Sequence, residues 1–274
     1  LHDALPIYEY MLLDWKQALL PYEQAVDELV IKFKGIKREY HTANLISPIE
    51  DVSGRVKTVA SIIEKSNRRN IPLEKALDVL EDIAGIRIIC RFVDDIQEVI
   101  ELIRKRDGKD MEILEEEDYI TNTKTSGYRS YHITISYPMF VQGEYKKIKC
   151  ELQIRTLAMN FWATIEHSLR YKFDKNVPAE IKNRLKVCAE AAYKLDEEMD
   201  KIKDELMESQ QFMESREQLI NKIIHNIHEL YNSPYVKNKN EYNYQFINLY
   251  QEGNIDKLKE FNAELETLLK DIGE

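Results

Sequence analysis

The chain has 274 residues, of which 43% are hydrophobic and 32% are charged, and its formal net charge is −10. This composition supplies enough apolar material for one large domain, or for a domain with an appendage. The negative charge argues against a dedicated duplex nucleic-acid binder, which would carry a large basic excess, but it is compatible with a local basic pocket for phosphates.

The N-terminal part of the chain is predicted to be helical. Apolar residues recur at three-to-four spacing over residues 9–40. The stretch "SPIEDVSGRVKTVASIIEKSNRR" is interpreted as a second helical segment, capped near Ser53. Its inward-facing residues would be Val56, Val59, Ile62 and Ile63. Its remaining surface carries the cations Arg55, Lys57, Lys65, Arg68 and Arg69.

The middle of the chain alternates predicted helices and strands. "LEKALDVLED" is a short helix, "GIRIICRF" is the first clear strand, and "DDIQEVIELIRKR" is an amphipathic helix. "MEILEEEDYI", "SYHITISYP" and "KKIKCELQIRT" are predicted to complete a largely antiparallel sheet, with a turn at Gln142 and Gly143. The helix "LAMNFWATIEHSLRYKF" follows. The pattern indicates an α/β core of the α+β kind, ending near residue 173.

From Val177 onward only helices are predicted. A stripe of apolar residues at heptad-like spacing is typical of a packing or oligomer seam, and it consists of Leu195, Met199, Ile202 and Leu206. "NSPYVKNKNEYNY" is interpreted as a polar break, and "NIDKLKEFNAELETLLKDI" as a last helix.

The three cysteines, Cys90, Cys150 and Cys188, are widely spaced and lack a C-x-x-C pair. This spacing argues against a disulfide framework or a zinc site, and it favours a reducing cytoplasm. The sequence has no run of about 18 apolar residues, so we expect no membrane partner.

The five cations near residues 55–69 have two interpretations. They could form an ordinary solvated face, which is the commoner case for an isolated helix. They are however not interleaved with acids apart from Glu64, and unpaired like charges at helical spacing repel one another. A polyphosphate ligand would offset that repulsion.

The segment "KTSGYRSYH" offers an aromatic ring for stacking and several donors for phosphates around a Ser-Gly turn. The alternative is a strand-entry turn with an exposed tyrosine. Two acids complete the candidate site, Asp82 before one strand and Glu151 within another. If the two strands are neighbours, which spacing alone does not establish, the carboxylates could hold the Mg²⁺ of a nucleotide site.

Taken together, "GRVK", "EDIAGIRIICRFVDDI", "KTSGYRSYH", "ELQIRTLAMNFWATIEHSLRYK" and "LDEEM" resemble the RelA/SpoT-type alarmone synthetases, and most closely their small, single-domain RelQ-like branch. The resemblance spans roughly residues 21–210. It implies a nucleotidyltransferase-like fold related to polymerase beta, with a mixed sheet flanked by helices and a helical C-terminal extension. The implied activity is transfer of pyrophosphate from ATP to the 3′-hydroxyl of GDP or GTP, with release of AMP.

The resemblance also implies a role for individual residues. Asp82 and Glu151 would be the catalytic acids and would bind Mg²⁺. The residues implied to bind ATP are Arg55, Lys57, Ser61, Lys65, Arg68, Arg69 and Arg87, with Arg55 and Arg87 on either side of adenine. The residues implied to bind GDP or GTP are Lys124, Tyr128, His132, Gln153, Asn160 and Glu166, with Tyr128 stacked on guanine.

Four segments are predicted: an N-terminal segment 1–20, a synthetase domain 21–175, its C-terminal helices 176–216 and a further helical tail 217–274. Because no helical domain surrounds a His-Asp metal site, we expect synthesis without hydrolysis. The resemblance implies a homotetramer, and single-stranded RNA is a further candidate partner.

The alternative function is a non-catalytic regulator that binds guanine nucleotide or single-stranded RNA. Two carboxylates in the pocket argue against that alternative, because an anion binder gains nothing from them.

Overall fold

The computed structural model describes residues 14–172, 177–233 and 239–273, and the chain divides after Asp200 into two units. The helices are α1 (Trp15–Thr42), α2 (Val59–Arg69), α3 (Ala76–Val79), α4 (Val93–Arg104), α5 (Leu157–Lys172), α6 (Ala179–Asn232), α7 (Lys239–Glu252) and α8 (Ile255–Gly273). The strands are β1 (Asp51–Val56), β2 (Ala84–Cys90), β3 (Glu112–Asp118), β4 (Tyr131–Val141) and β5 (Glu144–Thr156). A short 3₁₀ turn, Leu73–Lys75, precedes α3.

The five strands form one mixed sheet in the order β1-β2-β5-β4-β3. β2 and β5 run parallel, and the other three neighbouring pairs are antiparallel. Helices α1, α4 and α5 pack on the sheet. The predicted α/β class, with a largely antiparallel mixed sheet flanked by helices and a helical C-terminal part, is therefore confirmed. The parallel pair answers the question that sequence spacing left open, because β2 and the strand that carries Glu151 are neighbours.

Helix α1 lies directly against β1. Its buried residues recur at three-to-four spacing, as the sequence pattern predicted, and they include Leu29 and Phe33. Gly54 of β1 has no side chain at the contact, where a Cβ atom would come within 2.5 Å of Val26. Of the helix predicted over residues 9–40, residues 9–13 lie outside the described residues.

The prediction of a helix across Asp51–Val56 is wrong. These residues form β1, which pairs with β2 from Asp51↔Ile89 to Val56↔Ala84. Helix α2 begins only at Val59, where the Thr58 side chain, rather than Ser53, accepts a capping hydrogen bond from the Ser61 N–H. The spacing of the apolar residues fits a helix, but pairing with a distant strand overrides it. The five cations therefore do not share one helix face.

The beginning of α6 belongs to the first unit and is attached to the sheet by polar contacts. The buried hydroxyl of Thr156, at the end of β5, donates to Asp196 over 2.6 Å. Arg129 donates to Glu190 over 3.0 Å, and the indole N–H of Trp162 donates to the carbonyl of Leu185 over 2.8 Å. These contacts fix the position of α6 relative to the end of β5 and the segment before β4.

Burial raises the pKa of Asp196 to about 6, and the negative charge of Asp200 adds to the effect. An unfolded aspartate has a pKa of about 3.9. The folded state therefore retains a proton that the unfolded chain has lost, so stability falls as the pH rises from about 4 to about 6. Asparagine carries no charge and can still accept from Thr156. We expect Asp196→Asn to raise the melting temperature clearly at pH 8 and by a much smaller amount at pH 4.5. Scanning fluorimetry checks this, and an equal shift at both pH values would contradict it.

The second unit is a small helical unit with its own core. Ile223, Ile227 and Leu230 of α6 pack with three residues of α8, Leu258, Phe261 and Leu265. Inside this core the Asn226 side chain donates to the Asn262 carbonyl oxygen over 3.0 Å. The predicted last helix is confirmed as α8. The polar break is narrower than predicted, because α7 begins at Lys239 and residues 234–238 lie outside the described residues. The predicted boundaries at residues 175 and 216 stay predictions.

Within the described ranges, no helix combines the length and the apolar character that crossing a lipid bilayer requires.

Candidate active site

The sheet register aligns the predicted polar residues in two neighbouring rows. Arg55 on β1 lies opposite Gly85 on β2, which lies opposite Glu151 on β5. In the next row on the same face, Arg87 on β2 lies opposite Gln153 on β5. Alternate strand residues point to one side, so these side chains share a face, whereas Leu152 and Ile154 are fully buried on the other face.

A cavity of about 200 Å³ opens above these rows. Gly85 contributes no side chain at the centre of the cavity floor, and this leaves room between the charged groups. The residues that border the cavity are Ser53, Gly54, Arg55, Lys57, Asp82, Gly85, Ile86, Arg87, Glu151 and Gln153. Six of the predicted site residues therefore meet in one pocket, namely Arg55, Lys57, Asp82, Arg87, Glu151 and Gln153.

Asp82 lies just before β2, and one of its carboxylate oxygens forms ion pairs with two lysines. Its Oδ2 atom is bound by Lys57, and it is 2.6 Å from Nζ of Lys65 on α2. Burial opposes the charge on Asp82, but the hydrogen bonds from the two lysines lower the pKa of the carboxyl group below its ordinary value. Its Oδ1 atom is buried and has no hydrogen-bond partner within the described residues.

Glu151 is also held in its ionised form. Nδ1 of His132 is 3.3 Å from Oε1, and the Gln153 amide donates to Oε2 over 2.6 Å. Burial opposes the charge, yet the contacts with His132 and Gln153 lower the pKa of Glu151 below its ordinary value. The charge of Asp82 acts in the opposite direction, which indicates that the two carboxylates are close enough to interact.

The side chains around Glu151 form a closed ring of polar contacts. Nδ1 of His132 faces Glu151, and its Nε2 is hydrogen-bonded to the Tyr128 hydroxyl over 2.8 Å. Arg155 donates to that hydroxyl over 3.0 Å and to the Gln153 carbonyl oxygen over 2.5 Å. Gln153 in turn donates to Glu151. The ring fixes the acid, the tyrosine and the histidine relative to one another.

Two arginines, Arg55 on β1 and Arg87 on β2, also border the cavity. Burial, together with the positive charge of Arg55, lowers the pKa of Arg87 below its ordinary value. The Nε atom of Arg87 is buried and has no hydrogen-bond partner in the described part of the chain. A flat aromatic group between two guanidinium planes would gain stacking and cation–π energy.

The turn before β4 is shaped by one glycine. Gly127 has a φ of +87°, and a Cβ atom there would come within 2.6 Å of the Ala189 side chain on α6. Its N–H donates to the Lys124 carbonyl oxygen over 2.8 Å. The turn places Tyr128 beside His132 and leaves the Lys124 ammonium 5.3 Å from the Tyr128 ring centroid.

The remaining predicted residues do not border the described cavity. Ser61 lies in the first turn of α2, where its backbone N–H donates to the capping Thr58 hydroxyl and its own hydroxyl accepts from Thr58 over 2.9 Å. Arg68 and Arg69 are exposed in the last turn of α2. Asn160 and Glu166 lie on α5, where Oδ1 of Asn160 is buried without a partner within the described residues.

The alternation in "CELQIRT" places Arg155 on the same face as Glu151 and Gln153, without a role in ligand binding. In the structure Arg155 is buried and joins Tyr128 to Gln153. Sequence reasoning missed one residue beside the site, Tyr119. Tyr119 follows β3, and its ring centroid is 3.7 Å from the Lys124 ammonium. Only its place at the end of "MEILEEEDYI", a few residues before "KTSGYRSYH", could have pointed to it.

A mixed sheet with paired carboxylates and clustered cations on one face defines a nucleotide-phosphate transfer site. A family model, described as a region found in RelA / SpoT proteins, matches residues 54–176. Two curated proteins of Bacillus subtilis are similar. GTP pyrophosphokinase YjbM is 52% identical over 196 residues, which are 72% of this chain and 92% of that protein. GTP pyrophosphokinase YwaC is 40% identical over 195 residues, 70% of this chain and 92% of that protein.

Solved structures agree with this assignment. A GTP pyrophosphokinase family protein of Streptococcus pneumoniae superposes with a TM-score of 0.68 at 52% identity, over 72% of this chain and 97% of that chain. Small alarmone synthetase 1 of Bacillus subtilis, bound to its product pppGpp, superposes with a TM-score of 0.67 at 52% identity, over 70% of this chain and 97% of that chain. This chain belongs to the RelA/SpoT family, and the predicted family and nucleotidyltransferase-like fold are confirmed.

Proposed function

We propose that the protein is a (p)ppGpp synthetase, a GTP diphosphokinase that moves the β,γ-pyrophosphate of ATP to the 3′-hydroxyl of GDP or GTP. The observation that carries the proposal is the pocket in which Asp82 and Glu151 face Lys57, Arg55 and Arg87. Its support is the pair of relatives named GTP pyrophosphokinase and the family's solved complex with pppGpp.

The reaction forms one bond and breaks one. The ribose 3′-oxygen of the acceptor bonds to the β-phosphorus of ATP, and the bond from that phosphorus to the oxygen bridging to the α-phosphate breaks. AMP leaves with the electron pair of that bond. Glu151, ionised because its pKa is lowered, is positioned by His132 and Gln153 to accept the proton of the 3′-hydroxyl.

The two acids also fit a magnesium ion. The described residues contain no cluster of three or more His, Cys, Asp or Glu side chains suited to a metal. Mg²⁺ however binds through one or two carboxylates together with substrate phosphates and waters, and Asp82 offers a buried oxygen without a partner. Asp82 and Glu151 would hold the ion, which would supply positive charge to the phosphate oxygens.

The proposed roles divide the site residues between the two nucleotides. On the ATP side, Arg55 and Arg87 would hold adenine, and Lys57 and Lys65 would bind the phosphates, with Ser61, Arg68 and Arg69 further along α2. On the acceptor side, Tyr128 would stack on guanine beside His132. The other acceptor residues in the proposal are Lys124, Gln153, Asn160 and Glu166.

The proposal includes a homotetramer in the cytoplasm. Its support is an apolar stripe that is exposed at every position, namely Leu195, Met199, Ile202 and Leu206. A stripe exposed in the single chain favours association between copies over internal packing.

All three cysteines are free, as a reducing compartment would allow. Sedimentation of the full chain reports the assembly, and gel shifts report any binding of single-stranded RNA.

The decisive test is release of AMP from radiolabelled ATP, resolved by thin-layer chromatography. We expect AMP and an alarmone product in equal amounts when GDP or GTP and Mg²⁺ are present. We expect neither product when ADP replaces the guanine nucleotide, or after chelation by EDTA. Binding of guanine nucleotide without AMP release would instead indicate the non-catalytic regulator, and release of ADP or orthophosphate would contradict pyrophosphate transfer.

A further inference from the structure

Tyr119 has no part in the roles proposed so far, yet its backbone and its hydroxyl group both make hydrogen bonds. It directly follows β3, and its backbone N–H donates to the carbonyl oxygen of Ser130 over 3.1 Å. Its hydroxyl donates to Glu117, which lies opposite His132 in the register of β3 and β4. The ring is therefore held at a defined place beside the acceptor half of the site.

The Tyr119 ring contacts three residues of that half. The Lys124 ammonium lies over the ring, 3.7 Å from its centroid. The ring also meets His132 edge-to-face at 5.1 Å and Tyr128 edge-to-face at 6.2 Å. Within the described residues, no carboxylate lies at ion-pair distance from the Lys124 ammonium. The ammonium instead makes cation–π contacts with the rings of Tyr119 and Tyr128.

This arrangement has a physical consequence for an anionic ligand. A lysine side chain has many rotamers, and restricting them before a phosphate arrives lowers the entropy cost of binding. A carboxylate could also restrict Lys124, but it would neutralise the ammonium and repel the phosphate. An aromatic face holds the cation by its quadrupole and leaves the full positive charge available.

We infer that Tyr119 is a positioning residue for the acceptor nucleotide: its ring orients the Lys124 ammonium toward the 5′-phosphates of a guanine nucleoside diphosphate or triphosphate. The inference rests on the proposed function for the identity of that acceptor. In the proposed function ATP is held by Arg55 and Arg87, which the Tyr119 ring does not contact, so the affinity for ATP should not depend on Tyr119.

The test is a double-mutant cycle on the full chain, with GDP affinity measured by isothermal titration calorimetry. We expect Tyr119→Leu to weaken GDP binding by up to about tenfold, because Lys124 then loses its rotamer freedom only on binding, and to leave the affinity for a non-hydrolysable ATP analogue unchanged. Tyr119→Phe keeps the ring and should recover most of the affinity. Lys124→Met should weaken GDP binding at least as much, because the phosphate contact itself is removed, and the double variant should be no weaker than Lys124→Met alone.

The matched control is Tyr145→Leu, the same replacement at a tyrosine that is 66% exposed on β5. Unchanged GDP affinity in Tyr119→Leu, or losses that simply add in the double variant, would overturn the inference. If Tyr119→Leu does not fold, Tyr119→Met fills the space without an aromatic face and completes the same cycle. A wild-type chain that binds GDP but releases no AMP would refute the proposed reaction, while the cycle would still decide the role of Tyr119.

Discussion

Replacing Glu151 by glutamine is expected to lower the rate of AMP release by about 10²- to 10⁴-fold, the usual contribution of a general base, while the fold is retained. The carboxylate of Glu151 is held by His132 and Gln153, whose contacts lower its pKa against the opposing effect of burial. A glutamine amide has nearly the same shape, but it cannot accept the 3′-hydroxyl proton. It also carries no charge for a metal ion.

The matched control for this variant is Glu144→Gln. Glu144 lies at the beginning of the same strand, its side chain is 71% exposed, and it contacts Lys146 over 3.2 Å. We expect its AMP release to equal that of the wild type. Circular dichroism and melting curves establish that both variants are folded. Wild-type turnover in Glu151→Gln would show that another group accepts the proton, and the catalytic role of Glu151 would then be wrong.

The strands that are easiest to predict are those with a local signal. β5 shows strict alternation in "CELQIRT", and its hairpin with β4 turns at Gln142 and Gly143, whose φ angles are both positive, as tight hairpins require. In β1 the local signal is ambiguous, because Val52, Gly54 and Val56 also alternate with polar residues. Its apolar residues Val52 and Val56 continue the three-to-four spacing of α2, and only pairing with β2 makes it a strand.

The same distinction applies to the site. Alternation predicts that Glu151, Gln153 and Arg155 share a face, but no local pattern encodes that β2 and β5 are neighbours. The sequence pattern assigns the five cations to one helix, whereas the structure distributes them over β1, the segment before α2 and α2 itself. Arg55 reaches the cavity beside Arg87 because it lies in β1. Individual roles came from the resemblance, since residue type and spacing do not distinguish a donor nucleotide from an acceptor.

Replacing Asp82 by asparagine is expected to separate nucleotide binding from turnover. The Oδ2 atom of Asp82 binds two lysines, Lys57 and Lys65, and two arginines border the same cavity, Arg55 and Arg87. Removing the charge of Asp82 raises the positive potential of the cavity, so metal-free ATP should bind at least as tightly as to the wild type. Turnover should fall by about 10²- to 10³-fold, because the charge that would hold Mg²⁺ beside the phosphates is lost.

Calorimetric titration with a non-hydrolysable ATP analogue, with and without Mg²⁺, measures this separation. The wild type should respond to Mg²⁺, and Asp82→Asn should lose most of that response. Asp78→Asn, at an exposed position on α3, is the control and should behave as the wild type in both assays. Loss of ATP binding in a folded Asp82→Asn variant would mean that Asp82 organises Lys57 and Lys65, which bind its Oδ2 atom, rather than a metal ion at Oδ1.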